Sequence, residues 1–183
     1  GDFVQKRSYT IGIPKAFSVY TLYPFYAWYF HKLGIKTILS DEVSPSGAAR
    51  TESTYCFPAE IAHGAVQNIL DKGADFIFLP HFRDMESHEK DIHANFCPIT
   101  QSLPYYIQKA FPEIPEGKIL APVVSFRTGL DKAREFFLQL GTQLGFTEAE
   151  AGEAFDIALK KQNEYQDAAF ELGKEALALA EKQ

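Results

Sequence analysis

The sequence predicts an α/β fold: a Rossmann-like three-layer sandwich with a parallel sheet of about four strands, followed by C-terminal helices. Three observations predict it. Short β-branched or apolar runs alternate with longer segments of helical periodicity between residue 9 and about residue 125. The run ADFIFL at 74–79 is almost uniformly apolar, as a parallel strand covered on both faces must be. After Gly129 the strand signals cease, and alanine, glutamate and lysine at helical spacing take over.

Residues 1–8 (GDFVQKRS) lack an initiating methionine and read as a linker. Tyr9–Ile13 is a β-rich run closed by Pro14. Val19–Leu33 is a helix that stops at Gly34, and Pro24 inside it leaves two starts open, near Ser18 or at the proline itself. Ile35–Leu39 is the second strand by its β-branched content, and DEVSPSGAARTEST at 41–54 is a polar connection. From Pro58 to Lys72, Ile61, Ala62, Ala65, Val66, Ile69 and Leu70 recur at helical spacing before Gly73. The strand at 74–79 leads into a long loop, Pro80–Phe96, which carries His81, His88 and His93. Pro98–Phe111 is a helix containing Pro104, and Lys118–Val124 is a fourth strand. Leu130–Leu144 and Glu148–Glu181 are helices. The expected organisation is an α/β lobe over 9–128 and a helical extension over 129–183 that caps the lobe or leads out of it. A terminal helix of this length with no strand after it suggests a piece of a larger protein.

Composition excludes several classes. The net charge of −6 has no basic stripe, so nucleic-acid binding is not expected. The most apolar stretch, Val19–Phe30, is tyrosine-rich and interrupted by Pro24, too polar and short to span a membrane. Two cysteines without a signal peptide point to a reducing, cytoplasmic setting and free thiols. No Walker loop or GxGxxG occurs. The segment IPKAFSVY after the first strand lacks a phosphate-binding loop, which argues against a flavodoxin-like nucleotide binder.

The candidate chemistry lies in TYCFPAEIAHG at 54–64 and NFCPITQSLP at 95–104. In each, a cysteine stands just ahead of a proline suited to the first turn of a helix, which places Cys56 and Cys97 at helix N-termini. Unpaired backbone N–H groups and the helix dipole stabilise a thiolate there. Both cysteines follow connections that leave the carboxyl ends of strands, the edge where α/β sheets bind ligands, so one rim is expected to carry both. Two thiolates suit an iron–sulfur cluster, a zinc site completed by His63, His81 or His93, or a redox dithiol. The alternative without metal is a protein-interaction module in which both thiols are structural. His63 and His81 are the side chains that could line such a site.

In combination, IGIPKAFSVYTLYPFYAWYFHKLGIKTILS, ESTYCFPAEIAHGAVQNILDKGADFIFLP and NFCPITQSLPYYI resemble the cysteine-bearing domain of large activator proteins related to those of the 2-hydroxyglutaryl-CoA dehydratase and benzoyl-CoA reductase group. The resemblance implies an iron–sulfur protein of anaerobic metabolism in which ATP drives single electrons to a low-potential cluster. It implies Cys56 and Cys97 as two ligands of a [4Fe–4S] or larger cluster. The ATPase module and a second α/β lobe would be partners outside this chain, and an acyl-CoA dehydratase or another redox protein would be the client. Turnover would belong to the parent activator or reductase.

Overall fold

A computed structural model describes residues 3–51, 56–87 and 94–181. Strands β1 (Thr10–Ile13), β2 (Lys36–Leu39), β3 (Phe76–Phe78) and β6 (Ile119–Leu120) form a parallel sheet in the order β2-β1-β3-β6. Strands β4 (His81–Met85), β5 (Ala94–Asn95) and β7 (Val123–Phe126) form a second sheet in the order β5-β4-β7. The α/β class, the four parallel strands and the C-terminal helices are as the sequence predicts.

Side-chain alternation along β3 shows the layering. Phe78 faces the core shared with α1 (Val19–Lys32), α5 (Arg134–Gln143) and α6 (Glu148–Ala180). Ile77 and Leu79 face the core shared with α3 (Phe57–Asp71) and α4 (Pro98–Ala110). A four-residue helix, α2 (Pro45–Ala48), packs on α3. Helices α1 and α3 end at Gly34 and Gly73, whose φ values of 68° and 71° are the left-handed caps that glycine adopts without strain.

The stretch Pro80–Phe96, expected as loop, is partly strand, and here the structure corrects the sequence. The ladder passes from β3 and β6 into β4 and β7 across two prolines. Ile77, Leu79 and His81 donate N–H groups to the carbonyls of Lys118, Leu120 and Pro122, each at 2.9 Å. The N–H groups of the odd-numbered residues thus point toward β6 and β7. Pro80 turns its missing N–H the other way, where β1 has already ended at Ile13. Strand β4 then continues to Met85, and β5 returns antiparallel against Asp84 and Met85. The charged residues of β4 hid it from the sequence. Asp84 is 2% exposed, yet it accepts a hydrogen bond from Ser125 Oγ at 2.5 Å and faces Arg127 at 3.5 Å. His88 and His93 lie outside the described residues.

Helix α1 runs through Pro24 without restarting. A proline there withholds one backbone bond and crowds the carbonyl four residues back. The amide of Gln162, fully buried on α6, meets the opened turn: Phe25 N–H donates to its Oε1 at 3.2 Å, and its Nε2 donates to Thr21 O at 3.0 Å. Those two backbone groups would bond each other in an uninterrupted helix. Lys32 Nζ to Glu153 at 2.7 Å ties the other end, so α1 and α6 run antiparallel. Phe25 also packs edge-on against Phe137 and Phe155, with ring centroids 4.8 and 5.4 Å away. Beyond Gln162, α6 leaves the body, and residues 163–181 are all exposed.

Replacing Gln162 by Leu removes both bonds and leaves the Pro24 turn facing apolar surface. The expected cost is about 1–3 kcal/mol of unfolding free energy, read as a lower urea midpoint. An unchanged midpoint would show that α1 satisfies its own turn.

Candidate functional site

Cys56 is the N-cap of α3 and Cys97 the N-cap of α4, each with extended backbone angles (φ −133° and −61°). Proline follows in the first turn of both helices, which is why each helix begins where it does. Both thiols are free; Cys97 is exposed and Cys56 half-buried.

The two caps differ chemically. The Cys97 sulfur accepts the Thr100 backbone N–H at 3.4 Å and lies 3.1 Å from the Thr100 hydroxyl. That hydroxyl is the main cause, and partial burial the main opposition, of a Cys97 pKa held below the ordinary thiol value. The Cys56 side chain makes no capping bond. Thr100 stands at the third position of its helix, where a cap side chain reaches a backbone N–H. Sequence reasoning passed it over, although the spacing Cys97-x-x-Thr100 was the available signal.

His81 opens β4, and its Nδ1 donates to the carbonyl of Gln101 in the second turn of α4 at 2.7 Å. Its ring rests 4.7 Å from that of Tyr105. Gln101 Nε2 in turn donates to Phe96 O at 2.6 Å, and Phe96 N–H donates to Arg83 O at 3.1 Å. These bonds clamp the start of α4, and so Cys97, to the extended β4 strand. His63 is placed elsewhere. Its Nδ1 donates to Ala59 O at 2.8 Å, one turn back in α3, and its ring lies 6.1 Å from Phe111, the C-cap of α4. About 20 Å of helix separates that end of α4 from Cys97. Burial pushes the His63 pKa down, which keeps the ring neutral. The structure therefore groups His81 with Cys97 and leaves His63 with the packing between α3 and α4.

Strand order reverses between β1 and β3, the switch point at which open α/β sheets form crevices. The connection after β1 enters that crevice with Phe17 at φ 48°, a left-handed conformation uncommon for a bulky residue. Phe17, Ser18, Thr21, Leu22, Met85, Phe96 and Thr100 line a mainly apolar cavity of about 140 Å³. Thr100 thus contacts the Cys97 sulfur and walls the crevice at once. Among the described residues, no group of three or more His, Cys, Asp or Glu side chains could hold a metal ion, and no helix is long and apolar enough to cross a membrane.

A family model described as CoA enzyme activase uncharacterised domain matches residues 10–183. No curated protein and no solved structure matches the chain.

The Thr100 contact sets the reactivity of Cys97. In Thr100→Val the thiolate loses its hydroxyl partner, so the pH of half-maximal iodoacetamide alkylation at Cys97 is expected to rise, with slower reaction near neutrality. An unshifted profile would remove Thr100 from the account.

Proposed function

The chain belongs to the CoA enzyme activase uncharacterised domain family, and from that membership we propose that it is the cysteine-bearing lobe of an activator of acyl-CoA dehydratases. In this reading Cys56 and Cys97 supply two thiolate ligands to an iron–sulfur cluster. The observation that carries it is the shared N-cap position of both thiols, with the Cys97 sulfur already held by a backbone N–H of its own helix. N–H groups and helix dipoles aimed at sulfur favour the deprotonated form that a ligand needs. Hydrogen bonds to sulfur also tune a bound cluster.

Two thiols would make up half of a four-thiolate site. A cubane takes four thiolates, and these two are the only cysteines in the chain. The remaining ligands would come from a second lobe or a partner chain. When bound, the cluster would supply single low-potential electrons to a dehydratase, with ATP hydrolysis by a separate module as the drive. This chain's own part is narrower. It holds the Cys97 pKa below the ordinary thiol value, braces the α4 cap through His81 and Gln101, and lines the crevice behind Thr100 with Phe17, Leu22 and Phe96. The exposure of Cys97 weighs against purely structural thiols, since a packing cysteine is buried.

The test is the iron and acid-labile sulfide content of the chain purified without oxygen and supplied with both, beside Cys56→Ala and Cys97→Ala. Iron with sulfide that falls to background in both variants is the expected result. Equal iron in all three proteins would contradict the ligand assignment, and zinc without sulfide would assign the thiols to a different metal.

A further inference from the structure

The exposed half of α6 presents an apolar face that nothing among the described residues covers. Ala151, Phe155, Ala158 and Gln162 follow one another at spacings of four and three residues, and all four are buried against the body. The same 4-3 phase continues without a break through Tyr165, Ala169, Leu172, Ala176 and Leu179, all exposed. Such spacing is the seam of a helix packed along another helix. Phe170 and Leu177, at 65% and 68% exposure, lie well round the helix from the seam and do not border it. Singly exposed apolar residues need no explanation; a contiguous stripe about 21 Å long does.

The first half of the seam already has a partner. Helix α1 lies antiparallel to it, from Lys32 beside Glu153 to Thr21 and Phe25 beside Gln162. Helix α1 begins at Val19, so it runs out where the exposed seam starts. The exposed face thus continues the α1–α6 interface, where one more helix could lie in line with α1. Small and large residues alternate along it, which suits a partner that sets a large side chain against each alanine.

Charge selects among occupants. Between residues 163 and 181 stand Glu164, Asp167, Glu171, Glu175 and Glu181 against Lys174 alone. Glu175 borders the seam between Leu172 and Leu179, and Glu164 and Glu171 lie further round the helix on that same side. Among the described residues Glu175 and Asp167 have no cationic partner, whereas Glu164 and Glu171 meet Lys161 and Lys174. A second copy would set two acidic margins together, and an anionic membrane surface would repel this face.

We propose that residues 163–181 of α6 form a docking site for a basic amphipathic α-helix, whose apolar seam covers Tyr165, Leu172 and Leu179 while its lysines or arginines pair with Glu175 on the acidic side that also carries Glu164 and Glu171. The inference stands whether or not Cys56 and Cys97 bind a cluster.

The test is a fluorescence-anisotropy titration of the chain with a synthetic helical peptide about three heptads long, bearing leucine and alanine along the seam and lysines flanking it. A peptide with the same seam and glutamates in place of the lysines is the comparison. The expected result is binding of the lysine peptide that weakens with salt, with the glutamate peptide at least about tenfold weaker. Leu172→Glu, which adds negative charge but breaks the seam, is expected to abolish binding. Glu171→Lys with Glu175→Lys is expected to reverse the peptide preference. These positions are exposed, so circular dichroism should show every variant folded. Undiminished binding by Leu172→Glu would reduce the effect to non-specific attraction and overturn the proposal. Failure of the lysine peptide to bind would overturn it too, as would a chain that is dimeric in light scattering and made monomeric by Leu172→Glu, which gives the face to a second copy.

Discussion

The backbone ladder that carries β3 into β4 beside β6 and β7 is the constraint on which the site depends. Three N–H groups, of Ile77, Leu79 and His81, hold it together past Pro80 and Pro122. Because the strand does not stop at the proline, the return segment must turn back from beyond Met85, and α4 begins well along the lengthened strand. Cys97 therefore caps a helix braced by β4 on one side and by the β1–α1 connection on the other. His81 contributes twice, since its N–H extends the ladder and its ring fastens α4. A loop in the same place would leave the cap thiol without a fixed orientation.

A second constraint secures the opposite face. Pro24 interrupts α1 in its second turn, and Gln162 turns that interruption into a docking point with two buried hydrogen bonds. A buried amide with no partner would cost more than an apolar residue; one that satisfies both groups of the opened turn fixes the register of α1 against α6. The heptad phase of α6 follows from that register. What the helix buries up to Gln162 and what it exposes afterwards are one face.

Much of the fold was legible in the sequence because it rests on local signals. A nearly continuous apolar run showed Phe76–Phe78, helical spacing showed Phe57–Asp71, and Gly34 and Gly73 marked their helix ends. Proline after cysteine placed both thiols at helix starts, as the N-caps show. Strands β4 and β5 were not legible, because Arg83 and Asp84 look like loop residues until Ser125 and Arg127 are brought beside them from forty residues away. Gln162 was missed for the same reason, its partners Thr21 and Phe25 being distant in sequence. Neither the separation of His63 from Cys97 nor the pairing of His81 with α4 has a local signature, since each is decided by how far along the sheet α4 begins.

What unites these features is a division of labour between two thiol caps and the scaffold that orients them. The most direct measurement is a mass-spectrometric count of alkylation at Cys56 and at Cys97, made on the anaerobic chain before and after loading with iron and sulfide. Simultaneous protection of both thiols on loading is the result this account predicts. A loaded protein in which either cysteine is alkylated as readily as before would contradict it.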